Sequence, residues 1–168
     1  MTQTQDHRIA GLEAALKTQV VLLEGLCEVQ NRLQQALLSR DWTALEELVE
    51  DQDAIAGRIG EAETLREDAY RQLRNAMGVS ESESFADVLA LLDGETRGHL
   101  ANLYRRLKVA VLRVRSIGSG IEAYSRNAAE LGEAIVSELL PGGRGRMYNP
   151  RGQKAAGDRS AIVMSHHA

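Results

Sequence analysis

Residues 100–136 read LANLYRRLKVAVLRVRSIGSGIEAYSRNAAELGEAIV. In this stretch Leu100, Leu103, Leu107, Ala110, Val114, Ile117, Ile121, Tyr124, Ala128, Leu131 and Ile135 follow one another at steps of three and four without a break. That spacing puts every one of them on a single face of an α-helix and sustains a heptad through five repeats. A strand would need alternation at every second residue, and none is present. Gly118 and Gly120 fall inside the pattern; each costs roughly 1 kcal/mol relative to alanine in a helix interior, so they mark a bend or a close helix contact. Leu140-Pro141-Gly142-Gly143 stops the helix, since proline cannot continue it.

Upstream, the same periodicity occurs twice. Both prolines, Pro141 and Pro150, lie after residue 140, so nothing interrupts long helices before them. From about Gln5 to Leu38, apolar residues fall at Ile9, Leu12, Leu16, Leu23, Leu26, Leu33 and Leu37, with Gln19 and Gln30 on the same stripe. Polar residues in such a seam weaken packing but fix register. Ser39-Arg40-Asp41 is a tight break, and Asp41 is a suitable N-cap for a second helix. That helix runs from Trp42 to about Met77 with a stripe of Trp42, Leu45, Val49, Ala56, Ile59, Tyr70 and Leu73, flanked by Leu48 and Ile55, and Gly78 fits its C′ position. So short a connection forces an antiparallel hairpin. After a polar loop, Ser84 and Asp87 have the spacing of a capping box for a short helix that Asp93-Gly94 ends.

The expectation is an all-α fold: an antiparallel long-helix hairpin plus a long third helix, an elongated helical bundle or coiled coil. Helices are expected over about 5–38, 42–77, 84–92 and 95–140, forming one domain over 1–140, with a flexible, disordered basic tail over 141–168. Composition agrees, since apolar residues make up 43% and aromatics only 4%, a balance that suits helix-on-helix packing more than a β-sandwich. Residues 141–168 carry five basic side chains against Asp158, a net +4, whereas residues 1–140 hold 15 basic and 23 acidic, a net −8. An acidic body beside a basic tail points to two parts with different tasks. The tail is Gly-rich and aperiodic and buries too little apolar surface to offset its ordering.

Little in the chain suits catalysis. Cys27, the only cysteine, excludes an internal disulfide and sits among leucines as a small core residue rather than a reactive thiol. His166-His167 has no helix-spaced partners of the kind a metal site needs, and no Glu-x-x-His motif of a bundle di-metal site is present. Gly142, Gly143 and Gly145 follow a helix, the wrong order for a phosphate loop. Neither a cofactor nor a metal site is expected. No uninterrupted apolar run reaches the ~18 residues of a membrane span, and the N-terminus lacks a secretory pattern, which makes the cytoplasm the expected location. The tail's arginines around Tyr148 resemble single-strand nucleic-acid binders, but an acidic body repels phosphates and disfavours that reading. Arg105-Arg106-Lys108 and Arg113-Arg115 read as a solvated helix face. The apolar end of the third helix, Leu131, Ile135, Val136, Leu139 and Leu140, reads equally as intramolecular core or homo-oligomer seam, and as a groove for a partner's amphipathic helix.

The layout resembles the FlgN-type flagellar export chaperones. The resemblance rests on the hairpin LLEGLCEVQNRLQQALLSRDWTALEELVEDQDAIAGRI over 22–59, on one long C-terminal helix, and on Tyr148-Asn149-Pro150-Arg151-Gly152-Gln153 after the last helix, which is similar to the family's Tyr-x-x-x-Gly segment. It covers nearly the whole chain, although this tail is longer than the family's pattern and ends in Ser-His-His-Ala. It implies a non-enzymatic cytoplasmic chaperone that holds the C-terminal helical segments of hook-associated junction proteins of the FlgK and FlgL type and delivers them to an FlhA-like export gate protein. The partner-contacting residues it implies are Leu131, Ile135, Val136 and Leu139 for cargo, with Tyr148 and Gly152 in the tail and Tyr148 at the gate. The rival readings are a coiled-coil adaptor that oligomerises and a protein that contacts nucleic acid through its tail.

Overall fold

The computed structural model describes residues 3–139. Within them the chain forms four helices and no strand: α1 (Gln3–Ser39), α2 (Trp42–Ala76), α3 (Phe85–Ala90) and α4 (Gly94–Leu139). It divides into two units, Met1–Tyr124 and Ser125–Ala168. The expected tail over 141–168, with its proline stop, lies outside the described residues.

Local chemistry fixes each boundary. α1 ends in a Schellman motif: the Asp41 N–H donates to the Ala36 carbonyl (3.0 Å) and the Arg40 N–H to that of Leu37 (3.3 Å). Arg40 occupies the left-handed position of that motif, at φ 57°, where a side chain is strained and glycine is not. Arg40→Gly is therefore expected to raise stability by about 1 kcal/mol, read as a higher urea midpoint at unchanged slope. Asp41 then caps α2 by accepting from the Ala44 N–H at 3.1 Å. α2 closes with the same motif, Gly78 at φ 66° and Val79 N–H donating to the Arg74 carbonyl (3.2 Å). Ser84 and Asp87 form the expected capping box on α3. Asp93 opens α4 by accepting from the N–H groups of Thr96 (3.0 Å) and Glu95 (3.1 Å), and these bonds, Thr96 first, hold its carboxyl below the usual range.

In the first unit α1, α2 and α4 pack around a shared core. The buried set of α1 is wider than a single seam, because Val20, Leu22, Val29 and Ala36 are buried beside the expected leucines. One core joins Leu12, Leu16 and Val20 of α1 to Leu73 of α2, Leu89 of α3 and Leu100, Leu103 and Leu107 of α4. The rings of Tyr70 and Phe85 (centroids 5.4 Å apart) and of Phe85 and Tyr104 (4.4 Å) tie α2, α3 and α4 together there. A smaller core near the hairpin turn holds Val29, Leu33, Ala36 and Leu48, with Ile121 packed against it. Of the two polar seam residues of α1, Gln19 accepts a hydrogen bond from Arg66 Nε of α2 at 2.9 Å. Gln30 is also buried and faces α4: a Cβ placed on Gly118 would lie 3.4 Å from its Nε2, an ordinary contact. A side chain therefore has room at Gly118, and Gly120 faces open space, so neither glycine is required by a close helix approach.

The expected stripe of α2 needs correction. Trp42 is 66% exposed and Val49 41%, and Ala56 is exposed too. Among the buried and half-buried positions, Leu45, Leu48, Gln52, Ile55, Ile59, Ala62, Arg66, Ala69 and Leu73 form a clean three-four repeat whose seam includes polar residues, and Ala44, Asp68, Tyr70 and Arg74 are half-buried beside it. Its phase is set by Leu48, Ala62 and Leu73, and that phase turns Trp42 outward. Trp42→Ala is accordingly expected to move the melting free energy by no more than about 0.5 kcal/mol, checked by thermal melts. Cys27 is likewise only half-buried.

Candidate protein-docking face on α4

The sequence pointed to the end of α4, and the structure leaves that end uncovered. Every residue from 122 to 139 is exposed. Within the second unit, Leu131 is 63% exposed, Ile135 48%, Val136 57% and Leu139 74%. At 100° per residue, Ala128, Leu131, Ile135 and Leu139 share one side of the helix, and Val136 flanks it beside Leu139. Glu138 sits at the edge of this stripe, while Glu130 and Glu133 lie away from it. The segment is helical because no proline and only Gly132 interrupts it, and because Ala128, Ala129, Leu131 and Ala134 are strong helix formers.

Such a stripe can bind another apolar helix face, and its chemistry goes no further. It carries no nucleophile or imidazole. Large exposed apolar side chains spaced i, i+4, i+8 are the grip that a helix-in-groove complex uses. Fully covering one exposed Leu or Ile contributes about 1.5–3 kcal/mol, which a partner spanning three of them would set against the entropic cost of association. Tyr148 and Gly152, the remaining expected contacts, lie outside the described residues.

Elsewhere the side chains that could do chemistry have structural surroundings. Burial pushes the Cys27 thiol above its usual range, against the nearby Arg113, which keeps it protonated and weakly nucleophilic. His99 Nε2 meets Glu13 Oε1 at 2.9 Å, and Lys17 pairs with the same carboxylate; these partners, Lys17 first, hold Glu13 below its usual range. Arg106 reaches Glu24 at 3.1 Å, a second link between α1 and α4. Glu46, Glu47, Glu61 and Glu63 are exposed, as expected of solvated faces. Among the described residues no group of three metal-ligating side chains occurs, and no helix is long and apolar enough to cross a membrane.

No curated protein and no solved structure matches the chain. A family model does: that of the FlgN protein, over residues 1–156. With nearly the whole length matched, the chain belongs to the FlgN family of flagellar export chaperones.

Proposed function

We propose that this chaperone works in the cytoplasm, holding the C-terminal helical segments of FlgK- and FlgL-like hook–filament junction proteins and passing them to an FlhA-like export gate. The observation that carries the reading is the apolar stripe of Leu131, Ile135 and Leu139, which nothing among the described residues covers. A cargo helix laid along it would bury that stripe, and the cargo's own assembly surface would be masked at the same time. Residues 141–168, with their net +4, would supply further contacts. Ordering them on binding costs conformational entropy, which keeps affinity moderate and permits release at the gate.

The test is a binding titration with a purified junction protein. The full chain should form a defined complex, and removal of residues 131–168 should abolish it. An oligomerising adaptor would instead self-associate strongly and be indifferent to cargo. Tyr148→Ala separates the two steps of the proposed cycle: it is expected to spare folding and cargo capture and to weaken gate binding about tenfold or more, as expected for an aromatic anchor, measured with purified gate domain. Loss of cargo binding in that variant would place Tyr148 in the wrong step.

A further inference from the structure

The middle of α4 carries a feature that cargo capture does not use. Between Glu95 and Glu122 the chain has no acidic residue and six Lys or Arg. Five of these, Arg105, Arg106, Lys108, Arg113 and Arg115, fall within three turns and all are exposed. Among the described residues only Arg106 has a carboxylate partner, Glu24 at 3.1 Å; Lys108 rests over the Tyr104 ring, 4.7 Å from its centroid. The helix places them in order. Arg105, Val109, Leu112 and Ser116 run along the crest facing away from α1, with Lys108 and Arg115 on one shoulder and Arg106 and Arg113 on the other. Val109 is 44% and Leu112 64% exposed. The result is a short apolar ridge bracketed by cations on both sides.

Two open grooves border the ridge. One, of about 720 Å³, lies on the Arg106 and Arg113 side, and its lining includes Glu24 and Glu28 of α1. The other, of about 400 Å³, lies on the Lys108 and Arg115 side, and its lining includes Glu63 of α2. The positive strip is therefore narrow and bounded by carboxylates. A broad polyanion would meet both signs of charge, and residues 105–116 contain no aromatic to stack a base. Two apolar side chains are also too few to insert into a lipid interface. A single helix, about 10 Å across, fits the strip's width.

From this we propose that the outward face of α4 between Arg105 and Ser116 is a second docking surface, one that receives an amphipathic helix of acidic character. Leucines of the partner would lie on Val109 and Leu112, and its flanking glutamates would meet the two cationic shoulders. The surface belongs to the first unit and is separate in sequence from the stripe at 131–139, so it stands whether or not cargo binds there.

The test uses the full chain and a fluorescein-labelled helical peptide of about 18 residues, five turns, with leucine at i, i+4, i+7 and i+11 and glutamate on either side. Anisotropy titration at low salt should give saturable binding. Arg113→Glu with Arg115→Glu should weaken it about tenfold or more, since both are desolvated on docking. The same peptide with lysine in place of glutamate should regain affinity for that double variant. Leu112→Asp alone should weaken binding too, while the melting temperature of both variants stays within about 3 °C of the parent, showing that they are folded. Equal binding by wild type and double variant would overturn the proposal. So would tighter binding of an oligonucleotide or of vesicles with about 30% phosphatidylserine than of the peptide. Sedimentation showing a dimer that the charge reversal dissociates would overturn it as well, because the occupant would then be a second copy of this chain.

Discussion

Replacing Leu131 and Ile135 together by aspartate is expected to abolish measurable capture of a junction-protein helix while leaving the melting temperature within about 3 °C of the parent. The two halves of this expectation have separate causes. Both side chains are largely exposed and belong to neither buried cluster, so folding of the first unit does not depend on them. The helix itself loses only the difference in propensity, about 0.5 kcal/mol per site. In a complex, however, each would be covered. Losing two such contacts removes roughly 3–6 kcal/mol of apolar burial, or between about a hundredfold and ten-thousandfold in Kd. Carboxylates pressed into the partner's apolar face add a desolvation cost. Calorimetric titration paired with thermal melts reads both effects from the same samples. Capture within threefold of the parent would remove these residues from the cargo face.

Leu100→Ala is expected to have the opposite profile, a severe loss of stability. Leu100 is completely buried where α1, α2, α3 and α4 meet, in one cluster with Leu12, Leu73 and Leu89. Truncating a leucine there removes its transfer free energy and leaves a cavity that three neighbouring helices can close only in part, a loss of about 3–5 kcal/mol. For a chain of this length that corresponds to a fall in Tm of roughly 6–20 °C. Leu112→Ala on the same helix supplies the control: Leu112 is 64% exposed, and its loss should cost no more than about 0.5 kcal/mol. A denaturant series on the two variants checks the contrast.

The parts of the fold that were legible in the sequence are the ones that local chemistry decides. Asp41, Gly78 and the Ser84–Asp87 pair announce helix ends because their side chains or backbone satisfy groups within four residues, and all four act there as expected. The long repeat of α4 was legible for the same reason. The seam of α2 was not, because it contains Gln52, Ala62 and Arg66, whereas the more apolar Trp42 and Val49 lie outside it. Arg66 is tolerated in the seam because Gln19 of α1 meets it, a tertiary fact that no single-helix pattern contains. Nor could the sequence show that α1 is buried on a broad arc, since Val29 and Ala36 are buried by residues distant in sequence, Leu48, Ile55 and Ile121 among their cluster.

The candidate face illustrates the same limit. Leu100, Leu103 and Leu107 obey the same repeat as Leu131 and Ile135, yet the first three are buried and the last two exposed. Periodicity identifies a face that wants a partner, and whether the chain itself provides one depends on tertiary packing that the repeat does not encode. In the sequence Arg105 to Arg115 read as a solvated helix face, and their arrangement around Val109 and Leu112 emerges only when the solvent-facing side of α4 is known.

The most direct test of cargo capture on the end of α4 is amide hydrogen exchange over residues 125–139, with and without a saturating junction-protein helix. In the free chain these amides should exchange rapidly, as expected of a helical segment with no packed neighbour among the described residues. Bound cargo should slow them by about a hundredfold or more, the protection that a local opening cost of about 3 kcal/mol confers, while Leu100–Ala110 stays unchanged. Cargo that binds stoichiometrically yet leaves 125–139 exchanging at the free rate would contradict the account.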